Sequence, residues 1–391
     1  MMRAMPGRTV TLVVCDAAGT IQGEITPFEV ATPWWQDMEP VSERFPSLAI
    51  LRLLVGSPAP GQPRSDVRYL AEPIGTTANL RLAPSATVGY DHELRMPWAR
   101  PGGPAADLDW AASVVTPAGP PTQHRTWNLS AIWSIPTEEG RVWLKCVPGF
   151  FGHEAAVLRS LGGRGVPELL ASDRHRMLLA GLGGDDGYGA TTTETCRLID
   201  HLIALQLQTT ADVPQLLAAG VPDGRWAALL RDLRAIVDRR APGCATLRDL
   251  MDTAGARVEA IEACGLPDVL VHGDAHRGNA RVGIEPPVWF DWGDSRIGSP
   301  ILDLAVLNRE DDSVRAHLER HWLDAWAKAV PGSDPYTAWR LAQPLAQLRM
   351  AVVYQMFLDS IEPSERVYHV DDVELELTQA SDLVRAAGPL R

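Results

Sequence analysis

One stretch, residues 268–294, constrains the fold and chemistry of this chain more than any other. It reads DVLVHGDAHRGNARVGIEPPVWFDWGD. The apolar run 269–271 indicates a buried strand, and Asp274 follows it after a His-Gly pair. Asn279 comes five residues later, and a second apolar run leads directly into Asp291. We therefore expect two carboxylates and an amide at two adjacent strand ends.

These three side chains suit metal-dependent phosphoryl transfer. Mg²⁺ takes oxygen ligands, usually one or two carboxylates plus substrate phosphates, and Asn279 and Asp291 offer such oxygens. Asp274 can then accept the proton of an attacking hydroxyl. The interval from Asp274 to Asn279 equals that of the protein-kinase catalytic loop, in which the Asp is the base and the Asn holds a metal.

The order His-Gly-Asp-x-His-x-x-Asn, followed by a strand that ends in Asp-Trp, resembles the aminoglycoside phosphotransferase/choline kinase superfamily. The resemblance carries motifs from about residue 125 to residue 310. It implies that Asp274 is the catalytic base and that Asn279 and Asp291 hold Mg²⁺. A later Gly-x-Pro-x-x-Asp-Leu-Ala segment also resembles the superfamily, and we expect its Asp303 to brace the catalytic loop.

A zinc site is the main alternative for this stretch. His272 and His276 are spaced i, i+4, as in the helical motif of zinc proteases. Gly273 and Gly278 disfavour a helix here, and the glutamate of that motif is absent. His276 is better explained as a residue that braces the loop.

Lysine is rare in this chain, which draws attention to Lys145. It and Lys328 are the only lysines among 36 basic residues, and Lys145 lies inside the apolar strand pattern 141–147, where a charge is costly unless it is paired. In a kinase-like lobe such a lysine binds the nucleotide phosphates and is held by a helix glutamate, here Glu154. Two alternatives stay open: a surface lysine whose stem lies on apolar surface, and a glutamate placed to favour a helix dipole.

Further nucleotide contacts are predicted around the same lobe. Residues 127–135 are predicted as a strand or a strand with a turn. Ser130 with its neighbouring backbone amides would cover the phosphates, because a Gly-x-Gly-x-x-Gly loop is missing there. The glycines of 181–184 resemble the hinge of a kinase, so Leu179 and Leu182 would contact the base. The same glycines equally fit a plain flexible connector.

Charge and composition exclude several classes of function. A net charge of −13 argues against nucleic-acid binding, which needs a basic surface. No apolar run approaches 18 residues, so no membrane helix is expected, and the first residues lack the apolar core of a signal peptide. Five scattered cysteines are typical of a reducing compartment. We therefore expect a cytoplasmic protein.

The predicted architecture is an α+β, bilobal protein-kinase-like fold preceded by a small α/β accessory domain. The predicted domains are the accessory domain at 1–100, a β-rich small lobe at 101–181 and a helical large lobe at 182–391. The accessory domain weakly resembles a Nudix fold, because Gly23 and Glu29 fit the opening of that family's metal motif. The Arg-Glu pair that should follow is absent, which favours a structural or substrate-capping role.

The expected reaction moves the γ-phosphoryl group of ATP or GTP, with Mg²⁺, to a hydroxyl of a small molecule. A sugar-bearing antibiotic such as an aminoglycoside is the first expectation for the acceptor. A metabolic sugar or amino-sugar kinase is the second, and a nucleotide-binding pseudokinase is the third. Asp359, Glu362 and His369 are candidate acceptor contacts, although a solvated helix end or loop explains each of them as well.

Overall fold

The chain divides into two compact units, as seen in a computed structural model that describes residues 7–56, 66–75, 80–87 and 89–387. The first unit takes in residues 1–152, 169–181 and 357–370, and the second takes in residues 153–168, 182–356 and 371–391. The predicted three-domain division stays a prediction.

A four-stranded sheet with the order β2-β1-β4-β3 opens the first unit. Strands β1 and β4 are parallel, and the other two pairs are antiparallel. Because side chains alternate between the faces of a strand, Leu12 and Val14 of β1 pack into one apolar cluster, while Val13 and Cys15 pack into another. The bounds are β1 Arg8–Cys15, β2 Ile21–Val30, α1 Glu39–Arg44, β3 Leu48–Gly56 and β4 Asp66–Pro73.

A five-stranded antiparallel sheet with the order β5-β6-β7-β9-β8 follows in the same unit. Over 127–135, where a strand or a strand with a turn was predicted, the structure has a turn followed by a strand that begins at Ala131. Residues 127–130 form a turn in which the Trp127 amide donates to the Ser130 carbonyl at 3.0 Å. The bounds are α2 Gly103–Val114, β5 Thr122–Thr126, β6 Ala131–Thr137, β7 Gly140–Cys146, β8 Leu169–Asp173 and β9 Arg176–Leu179.

One buried glutamine joins the two sheets. The Gln123 side chain, 1% exposed, accepts from the Ile50 amide and donates to the Ile50 carbonyl, both at 2.8 Å. The Ser42 hydroxyl donates to the Gln123 carbonyl at 3.0 Å. Buried amides need such partners, so these hydrogen bonds hold β5 of one sheet beside β3 of the other.

The segment 357–370 completes the first unit with buried charge. Arg95 donates to Glu362 from Nε at 3.1 Å and from Nη2 at 2.9 Å, a bidentate pair that is strong and geometrically specific. Glu362 and His369 are both almost fully buried. The alternative that these two residues lie at solvated ends is therefore wrong.

Glu365 lies in the same segment and gives the first unit a pH-dependent stability. Its Oε1 accepts from the Leu53 amide at 3.1 Å, and burial, followed by the charge of Glu362, raises the pKa of Glu365 to about 8. An unfolded glutamic acid loses its proton at about pH 4.3. The folded chain therefore holds one more proton between these values, and its stability falls as the pH rises through them.

We expect Glu365→Gln to remove this pH dependence. The amide keeps the acceptor for Leu53 but cannot ionise, so the variant should become the more stable chain as the pH rises towards about 8, with a slope that differs by up to about 1.4 kcal/mol per pH unit. Urea unfolding across this pH range measures the difference. Glu139→Gln, on the exposed β6–β7 turn, is the control and should leave the slope unchanged; an unchanged slope in Glu365→Gln would contradict the assignment.

The second unit is mainly helical. A capping box begins α4, since the Thr191 hydroxyl accepts from the Glu194 amide and the Glu194 carboxylate accepts from the Thr191 amide. The predicted apolar stripe of this helix, including Leu198, Leu202 and Leu205, is buried. The helices are α3 Glu154–Leu161, α4 Thr192–Gln208, α5 Val213–Ala218, α6 Trp226–Arg240, α7 Ala245–Glu262, α8 Asp312–Ala329, α9 Pro335–Ser360, whose end lies in the first unit, and α10 Asp372–Ala387.

Short strands lie between these helices and carry the predicted catalytic loop. They are β10 Asp185–Asp186, β11 Val269–Val271, β12 Ala280–Val282, β13 Val288–Trp289 and β14 Arg296–Gly298. The expected α+β class, with a β-rich early part and a helical later part, is confirmed. No helix in the described ranges combines the length and the apolar content that crossing a membrane requires.

Candidate active site

The loop between β11 and β12 places Asp274 beside Asn279. A 3₁₀ turn, Arg277–Asn279, brings the asparagine back towards the aspartate. The amide nitrogen Nδ2 of Asn279 donates to the Asp274 carbonyl and to its Oδ2, both at 3.0 Å. These two bonds orient the Asn279 side chain and do not use its amide oxygen.

Asp291 enters this region from a different sheet than expected. Strand β13 leads into it and pairs with β12, whereas β11 pairs with β14. The prediction that Asp274 and Asp291 leave adjacent strand ends is therefore wrong. Asp291 itself has φ +64°, a conformation that costs a non-glycine residue free energy and is often found at functional sites.

Asp303 braces the loop, as expected from its motif. Its Oδ1 accepts from the Gly273 amide at 2.7 Å, and its Oδ2 accepts from the His272 amide at 3.0 Å and from the Gln206 side chain at 2.7 Å. Asp303 is fully buried, and burial raises the pKa of its carboxyl. A carboxylate that accepts backbone N–H groups on two successive residues holds the approach to Asp274 in one conformation.

The two histidines brace the loop and do not form the predicted zinc motif. The backbone between His272 and His276 is not helical, so their i, i+4 spacing does not place them on one helix face. His272 contacts the Phe290 carbonyl through Nε2 at 3.1 Å and the Asp274 amide through Nδ1 at 3.3 Å; a neutral ring satisfies both, and burial lowers its pKa. His276 Nδ1 accepts from the Gly278 amide at 3.0 Å. The zinc alternative is therefore wrong.

Two further charged residues lie against this loop. Arg349 of α9, 1% exposed, donates to the Gly273 carbonyl at 2.9 Å. Loss of solvent, followed by the charge of Asp274, raises the pKa of Asp294 to about 7. Neither residue was predicted to belong to the site. A charge within the apolar pattern of a long helix is costly, and this signal could have identified Arg349.

Gly273 is the backbone position on which the loop depends most closely. It has φ +89°, and a Cβ atom there would lie 2.2 Å from the Asp294 carbonyl oxygen.

We expect Gly273→Ala to lower the free energy of unfolding by at least about 2 kcal/mol and to reduce turnover. Gly255→Ala is the matched control, since nothing lies within 4 Å of a Cβ there and helix α7 should be stabilised by about 0.5–1 kcal/mol. Urea unfolding should show a lower free energy of unfolding for Gly273→Ala and a higher one for Gly255→Ala. Equal changes in the two variants would contradict the role of Gly273 in the loop.

Glu154, the first residue of α3, is 1% exposed. Its Oε1 accepts from the backbone amide of Trp292 at 3.1 Å. Trp292 directly follows Asp291, so Glu154 fixes the backbone beyond the predicted metal ligand. A glutamate that serves only the helix dipole would not need this burial.

The remaining predicted nucleotide contacts lie on the five-stranded sheet or next to it. Lys145 on β7 pairs with Ile132 and Met177 and is 7% exposed, so the surface-lysine alternative is wrong. Ser130 is buried, and its hydroxyl accepts from the Trp127 indole at 3.0 Å. Leu179 ends β9 in the first unit.

The predicted residues thus fall into two groups, one in each unit. Lys145, Ser130 and Leu179 belong to the first unit. The second unit contains the remaining ones, which are Glu154, Leu182, Asp274, Asn279 and Asp291. Direct side-chain contact is seen for Asp274 with Asn279. The roles assigned to all eight stay predictions.

Comparison with known protein families gives a match over the catalytic-loop region. Residues 149–332 match the model of the phosphotransferase enzyme family. This range includes Glu154, Asp274, Asn279, Asp291 and Asp303, and it begins after Lys145. No curated protein sequence matches the chain.

Several solved structures share the fold at low identity. An ethanolamine kinase from Plasmodium vivax has a TM-score of 0.52 and 11% identity, over 71% of this chain and 88% of that one. A choline kinase from Cryptosporidium parvum Iowa II has a TM-score of 0.51 and 9% identity, over 72% and 96%.

Proposed function

We propose that this chain, whose residues 149–332 match the phosphotransferase enzyme family, transfers the γ-phosphoryl group of ATP or GTP to a hydroxyl of a small molecule. The observation that carries this proposal is the pairing of Asp274 with Asn279 on a loop braced by Asp303. Positioning and charge stabilisation supply most of the catalysis in phosphoryl transfer, and a braced loop provides the positioning.

Asp274 is the proposed base. Its side chain is 26% exposed, so an acceptor hydroxyl can reach it. The acceptor oxygen forms a bond to the γ-phosphorus, the bond from that phosphorus to the bridging oxygen breaks, and the nucleoside diphosphate leaves. The proton of the hydroxyl passes to Asp274. Such proton transfer typically contributes about 10²–10⁴-fold to the rate.

Asn279 and Asp291 are the proposed ligands of Mg²⁺. They offer an amide oxygen and a carboxylate, which are hard oxygen donors of the kind that Mg²⁺ prefers, and the Asn279 amide is oriented by its bonds to Asp274. Bound Mg²⁺ would neutralise charge on the nucleotide phosphates. Glu154 supports this site through the Trp292 amide.

Lys145 is the proposed phosphate-binding residue, with Ser130, Leu179 and Leu182 as further nucleotide contacts. We expect Lys145→Met to lower kcat/KM for the nucleotide by about a hundredfold, because a charged hydrogen bond worth about 1.5–3 kcal/mol is lost. The chain contains one other lysine, Lys328, and Lys328→Met is the matched control.

Chemical labelling measures the same contact directly. An acyl-phosphate nucleotide reagent should modify Lys145, not Lys328, and excess Mg-ATP should prevent the reaction, as read by peptide mass spectrometry. Equal labelling of both lysines, or labelling that Mg-ATP does not reduce, would contradict the assignment.

The proposed acceptor is a sugar-bearing antibiotic such as an aminoglycoside, and a metabolic sugar or amino-sugar kinase is the alternative. The net charge of −13 supports a cationic acceptor through long-range attraction. Five free cysteines support a reducing cytoplasm as the location.

The test is product mass spectrometry with Mg-ATP or Mg-GTP and a pooled panel. The panel holds aminoglycosides, macrolides, simple sugars, amino sugars and amino alcohols, and Asp274→Asn is the control. A mass increase of one phosphoryl group with the wild-type chain alone would support the proposal and identify the acceptor class. A chain that neither binds Mg-nucleotide nor phosphorylates any compound would overturn it.

A further inference from the structure

Three side chains of metal-ligand type meet in the first unit, outside the site described above. They are Asp107 of α2, Cys146 at the end of β7 and His175 in the turn between β8 and β9. The Cys146 thiol donates to Asp107 Oδ2 at 3.3 Å, and His175 Nε2 lies 3.1 Å from Asp107 Oδ1. One ligand atom from each residue lies within 4.8 Å of the other two.

We propose that Asp107, Cys146 and His175 bind a thiophilic divalent cation of the Zn²⁺ class. Thiolate, imidazole and carboxylate are the ligands that zinc takes, and three protein ligands with a solvent molecule complete its tetrahedron. Zinc–ligand bonds of about 2.0–2.3 Å give tetrahedral edges of about 3.3–3.6 Å between ligand atoms. The contacts of Cys146 and His175 with Asp107, at 3.3 and 3.1 Å, are close to such edges and involve different oxygens of the carboxylate.

The backbone holds the three ligands in place. The pairing of β7 with β9 sets Cys146 opposite Arg176, and the Val147 amide donates to the His175 carbonyl at 2.8 Å. Asp107 and Cys146 are almost fully buried, whereas the His175 side chain is 19% exposed. A cation therefore has a solvent path past His175 and needs little backbone movement to bind.

The charges at this cluster permit the exchange of a proton for a metal ion. On binding, the Cys146 thiol releases its proton to solvent, and the thiolate and the Asp107 carboxylate together balance the 2+ charge.

Arg176 is the competing cation. Its Nη1 lies 3.5 Å from Asp107 Oδ1, but its Nη2 is bound to Asp173 at 2.8 Å, and its guanidinium lies 5.0 Å from the Trp110 ring centroid. Arg176 thus keeps two partners when a metal ion occupies the Asp107 oxygens.

Metal binding here would connect α2 to the strand that carries the phosphate-binding candidate. Cys146 directly follows Lys145 on β7, and Asp107 lies on α2. A ligand that binds only the folded state stabilises it, and the stabilisation grows with the logarithm of the ratio of ligand concentration to Kd. We therefore expect Zn²⁺ to raise the Tm of the reduced full-length chain.

The test titrates the reduced, chelator-treated chain with Co²⁺ and then with Zn²⁺. One equivalent of Co²⁺ should give a thiolate-to-cobalt charge-transfer band and the intense visible bands of tetrahedral cobalt, and Zn²⁺ should displace them. His175→Gln keeps the thiol and changes a partly exposed residue, so it should fold, and it should weaken binding by at least about a hundredfold. Cys146→Ala should abolish the charge-transfer band.

Cys196→Ser is the matched control. Cys196 also contacts a histidine: its Sγ lies 3.7 Å from His317 Nε2 on the solvent-facing side of α4 and α8. This pair therefore tests for adventitious metal binding at the surface. The control should bind Co²⁺ like the wild-type chain. Absence of a charge-transfer band, or a band lost in Cys196→Ser and kept in His175→Gln, would show a hydrogen-bonded cluster only and overturn the proposal. Every readout is independent of phosphoryl transfer.

Discussion

Asp274→Asn is expected to lower kcat by about 10²–10⁴-fold while Mg-nucleotide still binds. The amide has the size of the carboxylate and can still accept the Nδ2 hydrogen bond of Asn279, so the loop should keep its conformation. It cannot take up a proton from the acceptor hydroxyl. The loss should therefore appear in kcat, with the nucleotide Kd and the free energy of unfolding close to those of the wild-type chain.

The control for this prediction is Asp268→Asn. Asp268 is exposed at the start of the same stretch, directly before β11, so the substitution makes the same change of charge a short distance along the chain. Turnover should stay within about twofold of wild type, as for most surface substitutions. Single-turnover kinetics with the acceptor found by mass spectrometry, together with nucleotide binding by calorimetry, separate the two effects. Wild-type turnover in Asp274→Asn would remove Asp274 from the mechanism.

The sequence predicted the candidate site best where the contacting residues lie close together in one short segment. The loop from Asp274 to Asn279 forms a contact over five residues, and the motif that includes Asp303 supplies the expected brace. Strand pairing was less predictable, because an apolar run indicates burial but does not identify its partner strand. For this reason the pairing of β11 with β14, and of β13 with β12, differed from expectation.

Contacts between distant segments account for most of what the sequence did not reveal. Gln206 of α4 binds the bracing residue Asp303, and Arg349 of α9 binds the Gly273 carbonyl of the loop. Neither helix carries a local motif for its contact. Glu362 lies in a polar segment, which predicts exposure to solvent. It is buried together with Arg95, which lies 267 residues away in the sequence and forms a salt bridge with it. Polarity predicts exposure only when no partner of opposite charge is supplied by another part of the chain.

Asp303→Ala should show how much the conformation of the loop depends on its bracing carboxylate, separately from the proton transfer at Asp274. The substitution leaves three donors without their acceptor, namely the amides of His272 and Gly273 and the side chain of Gln206. Each buried donor left unsatisfied costs about 1–3 kcal/mol, and some relief comes from removing a buried carboxylate. We therefore expect the free energy of unfolding to fall by about 3–5 kcal/mol, with turnover lost as well.

Two comparison variants sharpen this prediction. Asp303→Asn keeps the shape and one acceptor oxygen but turns an NH₂ group towards backbone donors, so its stability should lie between those of the wild type and Asp303→Ala. Asp249→Ala removes an exposed carboxylate from α7 in the same unit and should change the free energy of unfolding by less than about 0.5 kcal/mol. Urea unfolding and hydrogen exchange at the amides of His272 and Gly273 measure the effects. Since Asp274→Asn should preserve stability, an Asp303→Ala chain that is as stable as wild type would show that the loop holds its conformation without this carboxylate.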